Sequence, residues 1–107
     1  MIKPEIYPGL IFPEAKKLKE IICDVFEVSE FIVPGRMQPE SVARMVYACL
    51  LKELAGMSYT DIGNTIGRTR ANVYNAIMRV NDTYRNDAKY GKLVLECEER
   101  AKNMFDE

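Results

Sequence analysis

From Glu14 onward the apolar residues recur with the period of a helix, and this constrains the fold more than any other feature. Ala15, Leu18, Ile21, Ile22, Val25 and Phe26 follow the i, i+3, i+4, i+7 pattern, with Lys16, Lys17, Lys19 and Glu20 opposite them. They predict a helix over 14–27. Pro39, in the favoured first-turn position, opens a second helix. Its buried stripe is Val42, Met45, Val46, Cys49, Leu50 and Leu54, and its stop is Gly56. Ser58-Tyr59-Thr60-Asp61 has the form of a capping box with Asp in place of Glu and opens a short helix at about 59–66. Gly67 ends it. Thr69 is a good N-cap for the next helix, which runs on Val73, Ala76, Ile77 and Val80 to about Tyr84. Asn86 and Asp87 break and recap the chain. A last helix at about 88–104 carries Leu93, Val94, Cys97, Ala101 and Met104, with Gly91 weakening it by up to about 1 kcal/mol. No strand pattern, internal repeat or low-complexity tract interrupts this series. The expected fold class is all-α, a five-to-six-helix domain.

The segments outside these helices read differently. Pro4, Pro8 and Pro13 make residues 1–13 an irregular N-terminal arm, while Tyr7, Leu10, Ile11 and Phe12 are apolar enough to pack it on the domain. Val28 to Gln38 is a connector, with one short turn expected at Ser29–Ile32 and a turn signal at Pro34-Gly35-Arg36. At 107 residues the chain suits one core, so residues 14–107 are expected to form a single helical domain. No apolar run has signal-peptide or membrane-span length. The three cysteines, Cys23, Cys49 and Cys97, are isolated in sequence, which suits buried thiols in a reducing compartment. A cytoplasmic location is expected.

Several chemistries are excluded. Histidine is absent, which removes His-based acid–base catalysis, His-containing triads and every His-bearing metal site. No G-x-x-x-x-G-K-[ST] occurs, so no nucleotide is expected. Glu96, Glu98 and Glu99 lie on a charged helix face with no nucleophile partner and read as solvated. No cofactor, metal or enzymatic activity is expected.

The formal net charge of −1 argues at first against a nucleic-acid partner, but its distribution matters more. Residues 31–80 carry six basic and three acidic side chains and stand three units positive. The segments on either side are each two units negative. A solvated face accounts for such a bias as readily as a binding surface does, so position decides.

The positive segment contains Tyr59 to Ile77, YTDIGNTIGRTRANVYNAI, which fits a helix-turn-helix at about 59–84. Ile62 faces the core, Gly63 allows close approach, Ile66 plugs the corner and Gly67 takes positive φ. An ordinary αα-corner is the alternative. With Val73, Ala76, Ile77 and Val80 inward, the second helix turns Ala71, Asn75 and Met78 outward, flanked by Asn72, Tyr74 and Arg79. Thr69 and Arg70 stand at its N-terminus, where backbone N–H groups favour phosphate. Arg70 can pair with guanine, Asn72 or Asn75 with adenine, and Ala71 can meet a thymine methyl. No Asp or Glu occurs from Arg68 to Val80, as a phosphate-facing surface requires. Met57 and Met78 are expected to be exposed.

These residues resemble a family. Residues 14 to about 94 look like the C-terminal DNA-binding domain of the bacterial chromosomal replication initiator DnaA. Lys52-Glu53-Leu54-Ala55-Gly56-Met57-Ser58-Tyr59-Thr60-Asp61-Ile62-Gly63 is similar to the family's K-E-L-T-x-x-S-L-P-E-I-G. Gly67, Arg68, Val73 and Ala76 fall where its G-G-R-D-H-T-T-V-L-H-A has them if one glycine is deleted. The resemblance implies a stand-alone helix-turn-helix that binds double-stranded DNA, with Arg36 as a minor-groove arginine on the preceding loop. It implies that Arg44 contacts phosphate or a base, and that Ser58 and Tyr59 lie at the phosphate-facing start of the short helix. Arg68 keeps the turn arginine, Thr69, Arg70, Ala71 and Asn72 take the base-reading positions, and Asn75 a later one. None of the family's D-H-T-T residues is retained, so the implied target sequence differs. The same helical arrangement recurs in tryptophan-repressor-like proteins, which act as dimers.

The expectation is a sequence-specific double-stranded DNA-binding protein, a small regulator or replication-associated factor. The alternative is a protein-interaction module that keeps the fold without DNA affinity. A homodimer would use the N-terminal arm or the last helix, on Tyr90, Leu93, Val94, Cys97 and Met104; intramolecular packing is the other use for those residues.

Overall fold

One helix is apolar on nearly every side and so must be surrounded. In the computed structural model, which describes residues 13–33, 35 and 37–105, that helix is α2, Glu40–Ala55. Val42, Ala43, Val46, Tyr47, Ala48, Cys49, Leu50 and Leu51 are all buried. Around it lie α1 (Pro13–Phe26), α3 (Tyr59–Ile66), α4 (Arg70–Asp82) and α5 (Tyr90–Phe105), and α2 packs against all four. Among the described residues there is no strand, so the domain is all-α with five helices. The stripe read from the sequence was too narrow: Met45 and Leu54 are only partly buried, and the opposite face is buried as well. The N-terminal arm, residues 1–12, lies outside the described residues.

Local chemistry sets the ends of the helices. Pro39 stands just before α2 and not inside its first turn. Gly56 closes α2 in the left-handed conformation, and the Met57 N–H donates to the Leu51 carbonyl at 3.3 Å. That closure folds the residue after the glycine back onto the helix. Met57 is therefore buried, not exposed as expected. The short turn expected at Ser29–Ile32 does not form. The Glu30 carboxylate instead accepts from the N–H groups of Phe31 (2.8 Å) and Ile32 (2.9 Å), a local bond that competes with helix. Phe31 drops into the core, edge-on to Tyr47 at 5.2 Å.

α4 stops at Asp82, before the expected Tyr84, and a 3₁₀ turn over Tyr84–Asn86 follows. The turn directs Tyr84 inward, edge-on to Tyr90 at 5.7 Å. Asp87 recaps the chain, its carboxylate accepting from Lys89 and Tyr90 N–H at 2.8 Å each. Gly91 proves to be a requirement and not merely a weakness. A Cβ there would lie 2.7 Å from the Arg85 carbonyl oxygen, because the 3₁₀ turn lies directly on the first turn of α5. The apolar stripe of α5 faces the core: Tyr90, Val94, Cys97 and Ala101 are buried, while Leu93 and Met104 pack against them. That stripe is therefore not a free dimer surface.

Among the described residues, no helix is long and apolar enough to cross a membrane, and no cluster of three or more Cys, Asp or Glu could hold a metal ion. Burial pushes the Cys49 and Cys97 thiols up to about 12, which removes both as nucleophiles at neutral pH.

Candidate nucleic-acid interface

α3 and α4 meet at a corner built from local signals. Ser58 caps α3 by accepting from the Asp61 N–H at 3.1 Å, and Thr69 caps α4 by accepting from the Asn72 N–H at 3.2 Å. Gly67 takes φ 71° between them. A Cβ on Gly63 would lie 2.5 Å from the Arg68 carbonyl oxygen, so only glycine lets the chain turn back this closely. Ile62 and Ile66 are buried from α3, and Val73 and Val80 from α4.

With those residues inward, α4 presents Arg70, Ala71, Asn72, Tyr74, Asn75, Met78 and Arg79 as exposed. Six of them are the residues expected on or beside the outward face, and Arg70 stands at the helix N-terminus as expected. Tyr74 is 50% exposed and Met78 41%. Thr69 is also exposed, but its hydroxyl oxygen is engaged as the cap. No acidic residue lies in the first turn of α4.

Tyr59 has a second role that sequence reading missed. Its half-buried ring meets Tyr74 edge-on at 5.8 Å, joining the start of α3 to α4. Lys52 Nζ stands 4.5 Å from the centre of that ring and the Arg70 guanidinium 5.9 Å from it. Cations are attracted to an aromatic face at this range. Lys52 and Tyr59 lie seven residues apart across a corner, so no helical spacing announces their contact.

The arginines before and within the corner divide into two kinds. Arg44 was expected at phosphate or base, and the structure corrects this. It is only 6% exposed, and its guanidinium donates to the carbonyls of Phe31 (3.0 Å), Val33 (2.9 Å) and Gly35 (2.9 Å). Without it the Phe31 and Gly35 carbonyls would lose the donor shown for them and Val33 one of its two, so the side chain is committed to the loop. Arg68 is half-buried and donates to the Val33 carbonyl at 3.2 Å and to the Gly67 carbonyl at 3.1 Å. The Val33 oxygen thus accepts from both arginines and ties the loop to the helix-turn-helix turn. Burial, and then the charge of Arg68, pulls the Arg44 guanidinium below its ordinary value. Arg36 lies outside the described residues. Its neighbours Gly35 and Met37 are exposed, Met37 at 79%.

Between this loop and α4 runs a cleft of about 740 Å³. Arg44, Arg68 and Arg79 line it together with Asn72 and Asn75, and among the described residues no carboxylate does. Gln38, Ser41 and Met45 complete its α2 side, and sequence reading had assigned none of them to a site. A second hollow of about 370 Å³ lies over the turn itself and shares Arg68 and Asn72 with the first.

Among the described residues, none of Arg44, Arg68, Arg70 and Arg79 has a carboxylate within ion-pair distance. No protein-family model matches the chain, and no curated protein matches it.

Proposed function

We propose that this chain is a sequence-specific double-stranded DNA-binding protein that lays α4 in the major groove, with the Arg36 loop beside it at the neighbouring minor groove. The observation that carries the reading is the exposed face of α4. It offers Arg70, Asn72, Asn75 and Arg79 together, with its one carboxylate, Asp82, confined to the last residue of the helix, and the helix is anchored to the core by Val73 and Val80. Arginine and asparagine are the side chains whose donors and acceptors match guanine and adenine edges, and a phosphate-flanked surface excludes acids. Arg70 reads a base edge in this proposal; Arg79, Arg68 and Ser58 lie toward phosphate, with Asn72 and Asn75 beside them in the cleft. Ala71, Tyr74 and Met78 supply apolar contact, including to thymine methyls. The likeness to the DnaA C-terminal domain supports the same reading and suggests a small regulator or replication-associated factor, with a target changed by the different α4 residues.

Binding to a mixed pool of duplexes by fluorescence anisotropy, at about 50 mM salt, tests this. Arg70→Ala is expected to weaken binding by about tenfold or more and to relax preference at one base pair. No binding, or binding indifferent to Arg70→Ala and Arg36→Ala, would falsify the proposal. Tyr74 and Met78, one helical turn apart and both exposed, favour a second reading as a protein-interaction surface. In that reading Tyr74→Ala abolishes capture of a protein partner while the chain shows no duplex affinity.

A further inference from the structure

We infer that the cleft between α4 and the loop preceding α2 is a phosphate-binding site, with Arg68, Arg79, Asn72 and Asn75 as its ligating side chains and Arg44 as a positioning residue beneath them.

The argument begins with charge. Arg44 and Arg68 both donate to the single carbonyl oxygen of Val33, so two guanidinium groups are held against one another. A carbonyl dipole offsets only part of such a repulsion, and among the described residues no carboxylate lines the cleft to complete it. Burial first, and then the charge of Arg68, lowers the proton affinity of Arg44, so the repulsion adds to a cost that burial has already set. Arg79 enters from α4 and stands over the Tyr84 ring, its carbon 5.9 Å from the centre. Three positive groups therefore converge on one concavity in a chain whose sixteen acidic residues outnumber its fifteen basic ones.

Geometry then selects the anion. A guanidinium carries five N–H donors, so Arg68 retains donors beyond the two spent on carbonyls. Planar forks of this kind match two oxygens of a phosphate at once. Asn72 and Asn75, three residues apart on α4, add amide N–H groups from the same wall. At about 740 Å³ the space lies within the range of small-ligand clefts and exceeds a lone ion. Two sources share the chemistry: a backbone phosphate of a duplex, or a free phosphorylated small molecule. The duplex source rests on the proposed function; the free source does not.

Inorganic pyrophosphate is the probe, titrated at constant ionic strength while backbone amide NMR shifts are followed. Saturable shifts confined to α4, to the turn at 66–69 and to residues 37–45 are expected. Arg79→Ala, and Asn75→Asp as an exposed change that places a carboxylate in the cleft, should each weaken binding about tenfold or more. Unchanged α5 amides establish that both variants are folded. Arg100→Ala, at a cation already paired elsewhere, should bind as the parent does. A linear, non-saturating response, or equal affinity in all four proteins, overturns the site whatever the chain does with DNA. Anisotropy with a bound duplex then separates the sources. Pyrophosphate that saturates the cleft and displaces duplex beyond the ionic-strength control identifies a backbone phosphate as the ligand. Saturation without displacement, or with no duplex affinity at all, identifies a free phosphate compound.

Discussion

The arginines of α5 and of the 3₁₀ turn before it are treated quite differently from those around α4. Arg85 meets the Glu98 carboxylate at 2.6 Å and Glu53 at 3.5 Å, and Arg100 meets Asp24 at 2.8 Å and Glu96 at 2.7 Å. Arg44, Arg68, Arg70 and Arg79 meet carbonyls, aromatic faces or solvent, and among the described residues no carboxylate. A chain with a net charge of −1 could neutralise every arginine it has. It does so for Arg85 and Arg100 and, among the described residues, not for the arginines around α4. Net charge therefore reports little about partners here, whereas the pairing of individual cations reports a good deal. Cations that serve the fold are matched within it; cations left without a carboxylate on a concave face are available to an outside anion.

Arg44 is where that comparison is most easily broken, because it belongs to the unpaired set yet serves the fold. Arg44→Met keeps the length and removes all three donors. The carbonyls of Phe31 and Gly35 lose their donor and that of Val33 keeps only Arg68, and a loss of about 3 kcal/mol in urea unfolding is expected. Duplex and pyrophosphate binding should weaken as well, since the loop that forms one wall of the cleft is no longer held. A variant as stable as the parent would mean that the loop finds other donors and that Arg44 is no clamp.

The corner of α3 and α4 was legible in the sequence because each of its signals acts over a few residues. Ser58, Gly67 and Thr69 do their work within one turn of themselves, and Gly63 within six residues. The fate of Arg44 was not legible. Its partners lie nine, eleven and thirteen residues back, in a segment without periodicity, and nothing local distinguishes a phosphate-facing arginine from one buried among carbonyls. Glu30 shows the same limit in reverse. Its carboxylate captures two N–H groups that periodicity alone would have given to a helical turn. Glu98 read as solvated for a related reason, since its partner Arg85 lies on a different element.

Glu98 sharpens the comparison from the paired side. Its side chain is 15% exposed and accepts from Arg85 at 3.1 and 2.6 Å. Glu98→Gln keeps the shape and removes the charge, and a loss of about 1–2 kcal/mol is expected from chemical denaturation. Binding of duplex or pyrophosphate should be unchanged, because Arg85 lies outside the cleft. Weakened binding in this variant would show that the two arginine sets are not independent.

The smallest effect is expected at Glu30, where pH separates the two kinds of site. Burial acts to raise the Glu30 carboxyl but is outweighed by the bonds from the Ile32 N–H, the Lys19 ammonium and the Phe31 N–H, so the carboxyl titrates below its ordinary value. A depressed folded value adds stability that is present above the unfolded value, about 4.5, and is lost as pH falls through the folded one. At 43% exposure of its side chain, solvent screens the Lys19 pair, and the gain at neutral pH is held under about 1 kcal/mol. Glu30→Gln should therefore lower the urea midpoint slightly at pH 7. It should also flatten the fall in stability below pH 4.5, leaving parent and variant closest in acid. Parallel pH profiles would show that the Glu30 carboxylate contributes nothing to stability through its bonds to Ile32, Phe31 and Lys19. Converging profiles would place it with Arg85 and Arg100 among the charges that the fold itself employs.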